Sequence, residues 1–133
     1  MKVTEILFIL LIFFSISSCE ENIVQPTNQA YKGHWSFPEY TDSAVIYSRV
    51  SDLSLDNYGF SILDNGVFIE KKNSGWCGTP PISYTLYTGS WREISDSALF
   101  IQTKYWGGEM ELIYHLIRIE NDKIEIRVEE SVE

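Results

Sequence analysis

The stretch Ser74 to Pro81, SGWCGTPP, sets a thiol, Cys77, between two glycines and directly after a tryptophan. Thiol–disulfide exchange needs a second cysteine three residues on to resolve the mixed disulfide, and a helix N-terminus to lower the pKa of the first thiol. Position 80 is proline and the flanking residues favour strands, so redox chemistry is not expected of Cys77. Gly75 and Gly78 permit sharp turns and Pro80-Pro81 stiffens the approach to the next strand. The segment is read as a structural loop in which Cys77 packs as a small hydrophobe, or as a loop that lines a pocket.

The other groups able to do chemistry are few. Nucleophilic catalysis needs a base beside the nucleophile and a group that orients the base, and His34 and His115 belong to no such constellation. Two histidines and one cysteine share no metal-ligand spacing, and no Asp-rich calcium loop is present. Glu109 and Glu111 share one face of a strand, about 7 Å apart, a separation compatible with two-carboxylate hydrolysis. Beside the Gly107-Gly108 turn they read as solvated side chains. No catalytic residue, metal or cofactor is therefore expected.

Aromatic residues hold more promise: Trp35, Trp76, Trp91, Trp106 and eight tyrosines offer flat surface that sugars and lipids favour and that small β-barrels also use as core. Trp76, Tyr105 and Trp106 lie close to expected loops. Together with Tyr114 in the following strand they are the candidate ligand contacts.

The chain has 133 residues, room for one domain, and its start reads as a leader. A single positive charge, Lys2, precedes the apolar run ILFILLIFFSI, which at about eleven residues is well short of the roughly twenty that span a bilayer as a helix. Residues 1–18 are thus expected to be a signal peptide. Removing Lys2 and Glu5 with it leaves 9 basic and 18 acidic residues, a net charge of −9. Clustered Lys and Arg are absent, which argues against nucleic acid as a partner.

Residues 20–30, EENIVQPTNQA, are polar, lack periodicity and form an expected tether with a root-mean-square reach on the order of 20 Å. From Tyr31 onward Tyr, Trp, Phe, Ile and Val predominate, with turn signals every ten residues or so. Strands are expected near 32–37, 44–50, 56–63, 66–72, 83–93, 97–105, 110–119 and 123–129. Asp64-Asn65-Gly66 supplies the positive φ angles of a tight hairpin. In the last strand Ile124, Ile126 and Val128 alternate with Glu125, Arg127 and Glu129. Strand 110–119 is apolar on both faces, which predicts cover on both sides or a partner or ligand on one. The expected fold is all-β: a single small antiparallel meander barrel of about eight strands over residues 31–133, closed because closure removes exposed edges.

Three resemblances add to this reading. ISSC, ending at Cys19, resembles the lipobox of bacterial lipoproteins, which implies cleavage after residue 18, acylation of Cys19 and stable membrane anchoring through two or more acyl chains. Glu20-Glu21 resembles the surface-export signal of Bacteroidetes lipoproteins. YKGHWSF, FSILDNGVFIEKK, YTLYTGSWREISDSALFI and LIYHLIRIENDKIEIRVEE are similar to the lipocalin-like lipoproteins of that group. This likeness implies that Trp35 packs at the closed end of the barrel beneath Arg127 or Arg118 through a cation–π contact. A C-terminal helix and a disulfide, both usual in lipocalins, are not expected here, which sets this chain apart from the lipocalin pattern. The expected function is that of a non-enzymatic outer-membrane lipoprotein, periplasm-facing or surface-exposed, that binds a small apolar or amphipathic ligand in the barrel mouth. The alternative is a filled barrel acting as an interaction module in an envelope complex.

Overall fold

A computed structural model of the chain describes residues 30–131. The expected signal peptide, Cys19 and most of the expected tether lie outside the described residues. Eight strands follow one another: β1 (Gly33–Tyr40), β2 (Val45–Val50), β3 (Gly59–Ile62), β4 (Val67–Asn73), β5 (Tyr84–Ser95), β6 (Ala98–Tyr105), β7 (Gly108–Glu120) and β8 (Lys123–Glu130). They close into an antiparallel barrel, as the turn spacing and β-branched content predict.

The order around the barrel departs from a plain meander at one place. β3 to β8 are sequential neighbours, but β1 lies between β2 and β3, and β2 closes the barrel on β8. Because β1 is antiparallel to both of its neighbours, β2 and β3 run parallel, and residues 51–58 must cross the outside of β1 to join them. Lys71 on β4 holds this crossover, its Nζ donating to the carbonyls of Leu53 at 3.0 Å and Leu55 at 2.7 Å. Ser36 and Ser61 are consequently buried on what would be the solvent face.

The hairpins follow their local sequences. Asn65 and Gly66 take φ of 61° and 75°, and Asn121 takes 45° between β7 and β8. The two apolar faces of β7 have a local cause. A bulge between Leu116 and Arg118 reverses the alternation, so Ile119 stands opposite Ile124 and packs on the core while Ile117 is left exposed. An extra residue shifts every later side chain to the other face.

Side chains fill the barrel from both ends. At the end where the chain enters, the Trp35 indole N–H donates to Tyr31 O at 2.8 Å, and Tyr31 packs edge-on against Trp91. At mid-height Tyr47, Phe60, Phe68 and Tyr114, from four different strands, meet across the axis with ring centroids 4.9–5.9 Å apart. Phe60 and Phe68 stack while the other three contacts are edge-to-face, and such ring packing adds to the burial of the rings themselves.

Two seams are open at the other, distal end. β5 pairs with β6 only from Ser95 opposite Ala98 up to Ser90 opposite Gln102, although both strands continue. β8 pairs with β2 only from Lys123 to Ile126. Gly89 sits at the fork of the first seam, where a Cβ would lie 1.9 Å from Gln102 O, so only glycine allows the strands to come this close.

Candidate functional site

Strand direction sorts the connections. The chain enters at one end with the β3–β4, β5–β6 and β7–β8 turns, while the β1–β2, β4–β5 and β6–β7 connections and the end of β8 lie at the distal end. Most of the sequence-predicted contacts sit distally.

A polar belt lies in the lumen just above the aromatic plug. Alternation along β4 sends Phe68, Glu70 and Lys72 inward, and Glu70 is only 4% exposed. Its Oε1 accepts from the Tyr58 hydroxyl at 2.8 Å, and its Oε2 accepts from Lys72 Nζ at 2.7 Å and Thr103 Oγ1 at 3.1 Å. Lys72 also lies 5.5 Å from the Tyr87 ring centroid. Burial pushes the Tyr47, Tyr58 and Tyr114 phenols well above the usual tyrosine range, and the Glu70 charge adds to the effect in each. Among the described residues no buried side-chain polar atom lacks a partner. The belt is thus a satisfied network that orients side chains. Its lysine is tied to a carboxylate and is not poised as a nucleophile.

Outside the belt lies an open groove of about 560 Å³, lined by Gln102, Tyr105, Glu109, Met110, Glu111 and Glu130, with Ser131 at its edge. Met110 joins the two regions, its Sδ 3.8 Å from Lys72 Nζ. Trp106, 57% exposed, sets its edge against Tyr105 at 5.8 Å on the turn above. Trp76, 80% exposed, stands on the neighbouring β4–β5 loop. Asn73 braces that loop: its Nδ2 donates to Cys77 O at 2.7 Å and its Oδ1 accepts from Gly75 N at 3.1 Å.

The sequence-predicted residues divide accordingly. Tyr105 lines the groove and Trp106 flanks it. Trp76 is presented to solvent on the adjoining loop, whereas Tyr114 is buried in the plug. Cys77 is exposed rather than packed, and hydrogen bonds from the Thr79 backbone and hydroxyl lower its thiol pKa. Trp35 does lie beneath a guanidinium at the entry end, but that group belongs to Arg49, 4.1 Å from the ring centroid, and not to Arg127 or Arg118. The reason is register. Arg49 stands directly opposite Trp35 on β2, whereas Arg127 alternates outward from Ile124 and Ile126 and stands opposite His115.

His34 Nδ1 meets Ser61 Oγ at 2.7 Å, a base beside a hydroxyl. Ser61 is 1% exposed beneath the crossover, so this hydroxyl has no access for a substrate carbonyl. His115 Nε2 pairs with Glu129 at 2.9 Å on the outer surface. Among the described residues no group of three or more His, Cys, Asp or Glu is arranged to hold a metal ion. Glu70 and Lys72 were not among the residues expected to form a site, and the signal for their inward place is their i, i+2, i+4 spacing with Phe68.

The class defined by these features is a small, filled antiparallel β-barrel with an aromatic-flanked groove at its distal rim. The chain matches no family model, no curated protein and no solved structure.

Proposed function

We propose that the protein is a lipid-anchored lipoprotein of the cell envelope whose filled barrel serves as a rigid interaction module, engaging a partner through the rim that carries Tyr105, Trp106 and Trp76. The observation that carries this reading is the plug of Tyr47, Phe60, Phe68 and Tyr114, which occupies the mid-lumen space where a lipocalin-like carrier would seat a ligand. The ISSC sequence ending at Cys19 supports the anchor. With the tether joining β1 at the entry end, the aromatic rim stands at the end of the barrel away from that attachment. The reading is non-enzymatic and requires no cofactor.

A second reading, an amphipathic small molecule held at the mouth, draws on the groove that Tyr105 and Met110 line. Native mass spectrometry of the full chain, taken from its own envelope in mild detergent, separates the two. A protein mass carrying nothing beyond its acyl chains supports the module. A discrete further mass, lost on denaturation and abolished by Trp106→Ala, overturns it in favour of the ligand. Cys19→Ala should release the protein from the membrane fraction, and unchanged membrane association would sink the anchor.

A further inference from the structure

The distal groove joins an apolar wall to three carboxylates. Glu109 and Glu111 on β7 and Glu130 on β8 line it, and none of the described residues that line it is basic. Glu120, Glu125 and Glu129 on the same two strands reach a basic side chain, whereas among the described residues no ion pair includes Glu109, Glu111 or Glu130. Lys104 stands opposite Glu109 on β6 and makes no ion pair with it. Acidic side chains on an open surface are ordinarily just solvated, so the wall beside them decides what the groove can hold. A Cβ on Gly107 would collide with the Tyr105 ring, so the glycine lets the turn close down on that ring, and Trp106 meets it edge-on at 5.8 Å. Met110 is fixed where its Sδ meets Lys72 Nζ. The aromatic wall is therefore preformed, and the groove of about 560 Å³ lies within the range of about 300–1,000 Å³ usual for binding clefts.

We propose that this groove docks a basic segment of a partner protein, seating an arginine side chain between the Tyr105 ring and the carboxylates of Glu109, Glu111 and Glu130. The proposal rests on the reading of the distal rim as the partner-binding face. A guanidinium can lay its flat face on an aromatic ring while its N–H edge donates to carboxylates, and its methylene stem can cover a thioether. One such cation also relieves the repulsion among three like charges. Charge excludes the competing occupants, because a chain of net charge −9 repels nucleic acid, anionic bilayers and its own copies. Trp106 on the turn and Trp76 on the adjoining loop, 57% and 80% exposed, carry the contact beyond the groove, which suits an extended segment better than a small amine.

Fluorescence anisotropy of a labelled peptide of alternating arginine and serine, titrated with the full chain in mild detergent, tests this. Glu109→Gln, Glu111→Gln and Glu130→Gln combined should weaken binding at least tenfold relative to the parent. Asp96→Asn, Glu120→Gln and Asp122→Asn combined remove the same charge from the entry end, and at physiological salt, where charges beyond about 8 Å are largely screened, should change binding by no more than about twofold. Tyr105→Leu keeps every carboxylate and should still weaken binding, since the ring is lost. Near-ultraviolet circular dichroism checks that each variant stays folded. A parent that does not bind the peptide, equal weakening by the two charge variants, or a Tyr105→Leu variant that binds as the parent does overturns the proposal. A photo-cross-linking amino acid in place of Trp106, activated in the native envelope, separates this failure from failure of the rim reading. An adduct through an arginine- or lysine-rich stretch supports the basic segment. An adduct through an uncharged or acidic stretch overturns it while the interaction module stands, and the absence of any protein adduct overturns both.

Discussion

The guanidinium of Arg49 covers the Trp35 ring at 4.1 Å from its centroid and donates from its two terminal nitrogens to Lys32 O at 2.9 Å and Ala30 O at 2.7 Å. One side chain thereby caps the core tryptophan and ties the incoming chain to the barrel wall. Arg49→Ala should destabilise the domain by about 2 kcal/mol in urea denaturation, combining the cation–π contact with charge-assisted bonds to the backbone. Arg49→Lys should recover only part, because an ammonium cannot cover the ring and reach both carbonyls. An alanine variant as stable as the parent would show that the contact is incidental.

Glu70 and Lys72 form an ion pair whose side chains are 6% and 17% exposed. Removing one partner strands the other in the lumen, so Lys72→Met should cost about 3–5 kcal/mol. Glu70→Leu with Lys72→Met together should recover most of that loss, since apolar side chains of similar volume remove both desolvation penalties. A double variant as unstable as the single would mean that Tyr58 and Thr103 depend on the carboxylate more than Lys72 does.

Tyr31, Tyr47, Tyr58 and Tyr114 all have phenol pKa values raised above the ordinary 10.0, chiefly by burial. The unfolded chain therefore loses these protons first. Their stabilising effect is complete below pH 10 and falls as pH rises past it, by about 1.4 kcal/mol per pH unit for each group. Phenolate absorbance followed together with circular dichroism should show these four tyrosines ionising only as the fold is lost. Their ionisation with the fold intact would contradict the burial assigned to them.

Gly89→Ala drives a methyl group to within 1.9 Å of Gln102 O, a backbone atom that cannot swing aside. A loss of about 3 kcal/mol or more is expected. At Gly75 the same substitution meets open space and should change stability by less than about 0.5 kcal/mol. Thermal melts of the two variants give the comparison, and equal melting temperatures would mean that β5 and β6 do not approach this closely at Gly89.

What was legible in the sequence is what alternation and turn chemistry encode locally. The eight strands, the Asn65-Gly66 turn and the inward set Ile124 and Ile126 follow from neighbours a few residues apart. So does the outward place of Arg127, which already argued against its lying on Trp35. The placement of β1 between β2 and β3, the choice of Arg49 as the cap, and the early end of the β5–β6 ladder were decided by tertiary structure alone. Each depends on which strands lie side by side and in what register. Those choices are made when the barrel closes and the rings of Tyr47, Phe60, Phe68 and Tyr114 have to fit around one axis. The bulge at Ile117 shows the limit most directly, because one additional residue turns Ile119 from the face that simple alternation shares with Ile113 onto the side that packs against the core. The register of the β7–β8 pairing carries that shift, which the alternation along β7 alone does not show.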